Sequence, residues 1–143
     1  MTERSQTLID RQIAYALLRV TLGINIALHG IARLAAGQGI FAAHLMKQFA
    51  DAPLPAVLVH TFAYALPWAE SAIGLLILLG AATRLALIAG ALLMAVLTFG
   101  VALVQDWPVA GLQLTYALVF SLLLAFAAHN RWSVDGFIAR RSR

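Results

Sequence analysis

The chain contains no cysteine. That one absence removes disulfide frameworks, dithiol relays, thiolate nucleophiles, iron–sulfur ligation and thiolate zinc sites together. Charge is also scarce, at 11% of residues, against about 25% in a soluble domain. Apolar residues fill the space at 62% over 143 residues, and mean hydropathy is positive. This is the composition of an integral membrane protein. Successive spans with short connections leave no room for a soluble catalytic domain, so chemistry must sit between helices or at the membrane surfaces. One compact helical domain over residues 1–143 is expected. The net charge of +4 comes largely from basic residues outside the spans and reports topology rather than nucleic-acid binding. Any electron transfer would need a bound organic or haem cofactor.

Four apolar runs predict four transmembrane helices, at about 13–34, 56–79, 85–104 and 109–128. The first is longer than a signal-peptide core and has no small-residue cleavage pattern after it, so it is expected to remain as a mature helix. Residues 1–12 read as a polar tail. Between the first two spans, Gly37 and Gly39 interrupt the helix, and Ile40, Phe41, Leu45 and Phe49 recur at helical spacing. A short amphipathic helix in the membrane interface is predicted there, ended by Pro53 and Pro55. The short link Gly80 to Arg84 makes the second and third spans an antiparallel hairpin. With both termini cytoplasmic, Arg4, Arg11, Arg84, Arg131, Arg140, Arg141 and Arg143 gather inside and only Arg33 and Lys47 outside. The positive-inside rule favours that orientation, in a bacterial cytoplasmic (inner) membrane crossed several times. The stretch from His129 to Asp135 and the arginines beyond it read as a polar tail.

Polar residues within the spans are the candidates for function, because guanidinium, imidazole and carboxylate groups are costly in hydrocarbon. Arg19, Gly23, Ile26, Gly30 and Arg33 share one stripe of the first helix, where the two glycines would let a second helix approach closely. Measured from the inner end at 1.5 Å per residue, Arg19 lies about 9 Å deep and Glu70 about 14 Å deep. The predicted contact is a buried Arg19–Glu70 ion pair. That pair reads either as a clasp fixing helix register or as a polar site with a proton-accepting carboxylate. His29 and His60 fall near the outer face and read as interfacial hydrogen-bonding groups or as ligands to a quinone carbonyl. Haem is not expected from two histidines on separate helices, and no metal site is predicted. Arg33 and Lys47 read as groups reaching outer headgroups, and Arg84 as a topology charge. Thr98, Gln113, Thr115, Tyr116 and Ser121 are the scattered polar groups of the last two spans, too few to line a continuous route.

Arg19 followed by His29-Gly30 and Arg33, Phe41 in the first loop, a Pro before the second span, Glu70 with Gly74 to Gly80, Thr83-Arg84, and Trp132-Ser133-Val134-Asp135 form an ordered set. This set resembles the DoxX/DoxD-like family of small four-helix membrane proteins. Arg33 stands where that family often has Lys, and the third span has Thr98-Phe99-Gly100 where many relatives have a histidine. The second departure bears against any mechanism needing a third-helix proton carrier. The resemblance implies a role in handing electrons to quinone, with Arg19, His29, Glu70 and Arg84 as family-like polar positions. The expectation is a membrane subunit of a quinone-linked oxidoreductase. A quinone or quinol head group would lie between the first two spans, with Glu70 and Arg19 catalytic and His29, His60, Arg33 and Arg84 around the cofactor. Electrons would come from a protein partner. The alternatives are a non-catalytic anchor or assembly factor with a structural clasp, and a small-solute pathway in a homo-oligomer.

Overall fold

The computed structural model describes residues 3–141; the Arg4 side chain and Arg143, both counted in the charge asymmetry above, lie outside the described residues. The described chain is helical, without strands. Helix α1 (Glu3–Ala36) is followed by a short α2 (Gln38–Gln48), then α3 (Ala56–Leu79), α4 (Thr83–Leu103), α5 (Trp107–Ala125), a 3-10 turn (Ala127–His129) and α6 (Val134–Arg141). Helices α1, α3, α4 and α5 are long and apolar enough to cross a membrane. The expected four spans with an intervening short helix are therefore present. Two expectations at the termini are corrected. The segment read as a polar tail before the first span is helical from Glu3, since nothing between Glu3 and Ile13 breaks a helix. The segment after the last span forms α6 rather than a plain tail.

Lipid is as apolar as leucine, so the helices must be held by close packing and polar contacts rather than by hydrophobic burial. The most extensive packing joins α1 to α3, and the next joins α4 to α5. The first seam depends on glycine, as the stripe predicted. A Cβ at Gly23 would lie 2.6 Å from the Leu78 backbone nitrogen, and one at Gly74 would strike the backbone of Ala27. In the second pair the ring of the fully buried Phe120 fills the space beside Gly90. Tyr15, Leu22 and Ile26 of α1 meet Ile77 of α3, Leu87 and Met94 of α4, and Phe120 and Leu123 of α5 in one core. Pro67 sits inside α3 without ending it, and Ser71 donates a hydrogen bond to the Pro67 carbonyl at 2.8 Å.

Helices α3 and α4 are joined at the end of the bundle where α1 enters and α5 finishes, here called proximal. Gly80, at φ 67°, turns the chain there in the left-handed conformation that costs glycine least. These two helices touch far less than the other two pairs. They form a wedge, closed at the proximal turn and open at the distal end, where α2 lies.

Candidate functional site

The seam fixes a register. Gly23 faces Leu78, Gly74 faces Ala27, and Gly30 faces Pro67 and Ser71. In this antiparallel pairing Arg19 comes level with the last carbonyls of α3, and Arg33 comes level with Glu70. The predicted Arg19–Glu70 pair is therefore corrected: Glu70 is paired with Arg33, whose Nη1 donates to Glu70 Oε2. Arg33 does not reach outward to headgroups. It turns inward, with its guanidinium 4.5 Å over the ring of Phe41 from α2.

Arg19, 3% exposed, serves the proximal end. Its Nη1 donates to the carbonyls of Ile77 and Leu78 at 2.5 and 2.7 Å, and its Nη2 donates to the Trp132 carbonyl at 2.9 Å. A cation is favoured there because the last carbonyls of a helix have no partner within it. The segment after α5 completes the closure. Asp135 accepts hydrogen bonds from the backbone N–H groups of Ala82 and Thr83, both at 2.8 Å, at the start of α4. Its own N–H donates to the Gly80 carbonyl at 3.0 Å, and the Asn130 amide donates to the Thr83 hydroxyl at 2.9 Å. Burial pushes the Asp135 carboxyl up, but the Thr83 and Ala82 hydrogen bonds and the nearby Arg19 charge more than offset this and hold it below the usual range.

The distal end is built differently. A cavity of about 540 Å³ occupies the open side of the wedge, a size suited to a small organic ligand. Phe62 and Leu66 of α3, Leu97 and Gly100 of α4, and Val109 of α5 supply apolar wall. Phe41, His44, Leu45 and Phe49 of α2 and the turn after it cover the cavity at the distal end of the bundle. Its polar groups are few: Arg33, His44, Gln48, Asp106 and Gln113. Arg33 is thus both the partner of buried Glu70 and part of the cavity wall. Gln113 Oε1 is buried and has no hydrogen-bond partner among the described residues.

The structure does not gather the other expected site residues here. His29 is exposed on α1, bonded through Nδ1 to the Asn25 carbonyl at 2.9 Å, in a shallow groove with Thr21, Asn25 and Arg33. His60 is exposed on α3 with its ring 4.8 Å from that of Tyr64. Neither lines the cavity. Arg84 is exposed at the proximal start of α4. Between the first two spans the backbones are in close contact at Gly23, Gly30 and Gly74, and the cavity lies distal to that contact, with Arg33 of α1 and Phe62 and Leu66 of α3 in its wall. Gln113 looked like one scattered polar group in an apolar helix. Its only sequence signal was an amide within a span, a position where polar groups are costly.

The family model described as methylamine utilisation protein MauE matches residues 11–107. No curated protein and no solved structure matches the chain.

Proposed function

The chain belongs to the MauE family, whose model runs from the foot of the first span to the start of α5, and from that membership and the distal cavity we propose a membrane subunit of a quinone-linked oxidoreductase system. The family's description concerns methylamine utilisation. Oxidation of an amine releases electrons, and a membrane quinone is a chemically suitable acceptor for them. The DoxX-like motifs point to the same class of partner. The observation that carries the reading is the cavity of about 540 Å³, apolar over most of its wall, with Arg33 held in it by Glu70. A quinone ring offers flat apolar faces and carbonyl oxygens, and this lining fits both.

When bound, a quinone would supply two-electron, two-proton redox chemistry. The chain's own residues would bind and orient it. Arg33 donates hydrogen bonds and cannot lose its proton. Glu70 holds Arg33 in place and, being nearly buried beside the cavity wall, is the group best situated to carry a proton. The role expected of Arg19 passes to Arg33, while Arg19 caps α3. Electrons would come from a protein partner at the surface of the bacterial cytoplasmic membrane, with both termini inside.

The test is saturable quinone binding by the purified protein in nanodiscs, compared with folded Arg33→Gln and Glu70→Gln variants. Binding that weakens in both supports the reading. Absence of binding by the parent chain across benzoquinones and naphthoquinones would overturn it. The anchor or assembly reading would then gain ground, because Arg33 and Glu70 already satisfy one another.

A further inference from the structure

Two features of the distal cavity go beyond the residues that suggested a redox role. The first is Gln113, about 9 Å inside α5 from its distal start at Trp107. A buried amide oxygen without a partner is costly, and this one belongs to a side chain that lines the cavity. An amide can turn either end toward a ligand, so it can accept from a ring hydroxyl or donate to a ring carbonyl. The second is the way in. At the distal end of the bundle the cavity is covered by α2, where Phe41 lies against Arg33 and the Phe49 ring comes within 3.4 Å of the Cβ position at Gly100. Toward the bilayer it is open. Leu58 of α3 and Val96 and Phe99 of α4 line it while being 55%, 52% and 61% exposed. These three side chains form the lips of the wedge, within the apolar spans of α3 and α4, and all are apolar.

We propose that the cavity takes the ring of a chain-bearing quinone directly from the bilayer, hydrogen-bonded by the Gln113 amide as well as by Arg33, with its apolar chain leaving between α3 and α4 over Leu58, Val96 and Phe99. The proposal rests on the quinone reading above and adds the ligand's chain, its route and a second polar contact. A molecule confined to water would have to pass α2. One dissolved in the membrane meets the opening at its own depth.

Two photoreactive probes test this in nanodiscs: a prenylated benzoquinone with an azide on the ring, and the same molecule with a diazirine on the chain. Saturable ring labelling is expected around Gln113 and Phe62, and chain labelling at Leu58, Val96 or Phe99. Gln113→Leu should lower saturable ring labelling about tenfold, the loss of one well-made hydrogen bond, while Gln113→Glu should retain more of it. Ring labelling confined to the α1–α3 seam would overturn this placement and leave the quinone reading standing. Chain labelling on α1 or α2 instead of the lips would overturn the route. Unchanged ring labelling in a folded Gln113→Leu variant would overturn the contact and show that Gln113 holds only water. No saturable labelling of the parent chain by either probe would overturn the proposal and the quinone reading together.

Discussion

The two ends of the bundle use the same kinds of polar side chain for opposite purposes. At the proximal end Arg19 and Asp135 spend their hydrogen bonds on backbone groups: three carbonyls for the arginine and two N–H groups for the aspartate. They close the α3–α4 turn and fix the segment leading to α6 beneath it. At the distal end Arg33 and Glu70 bind each other, and the space beside them stays open. A polar group aimed at backbone builds the fold. A polar pair with one member, Arg33, in a cavity wall can still meet a ligand. On the proposed function the difference makes one end scaffold and the other site, and it can be broken by substitution.

The largest effect should come from Arg19→Leu, which leaves the Ile77, Leu78 and Trp132 carbonyls without their donor. A loss of about 3–5 kcal/mol is expected, seen as a sharp fall in melting temperature or failure to accumulate in the membrane. Asp135→Ala uncaps α4 and should cost about 1–2 kcal/mol, with quinone affinity unchanged in the folded fraction. Asp135 also sets a pH dependence. Because its folded carboxyl titrates below the usual range, its stabilisation is full above the unfolded value and is lost as the pH falls through the folded one. The parent chain should therefore lose stability in acid more steeply than Asp135→Ala, in melting curves recorded across that range. At the distal end Glu70→Gln should lower the melting temperature less than Arg19→Leu does, since the Gln carbonyl can still accept from Arg33, which is 29% exposed, but it should weaken quinone binding several-fold by loosening the hold on Arg33. The smallest effect is Gly39→Ala. A Cβ there meets nothing within 4 Å, so the change should stabilise α2 by about 0.5–1 kcal/mol and leave binding intact.

Much of the fold was legible in the sequence. Long apolar runs bounded by Gly80, Asp106 and Pro108 located the spans, and the Gly23–Gly30 stripe identified the face of α1 that meets α3. The pairing of Glu70 was misread because axial depth is only one coordinate. The depth comparison set Arg19 and Glu70 about 5 Å apart along the axis, but the register set by Gly23, Gly30 and Gly74 brings Arg33 to Glu70 and leaves Arg19 at the α3 terminus. That register follows from which backbone each glycine touches, and spacing within one helix does not contain it. Trp132 to Asp135 were visible as a motif, yet Trp132 works through its own carbonyl, which accepts from Arg19, and Asp135 through backbone N–H groups of the α3–α4 turn, and such main-chain partners have no sequence signature. The cavity was hidden for the same reason. It arises where α3 and α4 diverge, and its residues come from α1 to α5 with no shared period.

The most direct test of the contrast is a thermal-shift titration with a prenylated quinone in nanodiscs, run on the parent chain, Asp135→Ala and Gln113→Leu. If the proximal end is scaffold and the distal end is site, the parent and Asp135→Ala will show saturable rises in melting temperature with the same half-saturation, from different starting temperatures, while Gln113→Leu will start near the parent and rise much less. Equal loss of the ligand-dependent rise in Asp135→Ala and Gln113→Leu, or no rise in the parent chain, would contradict the account.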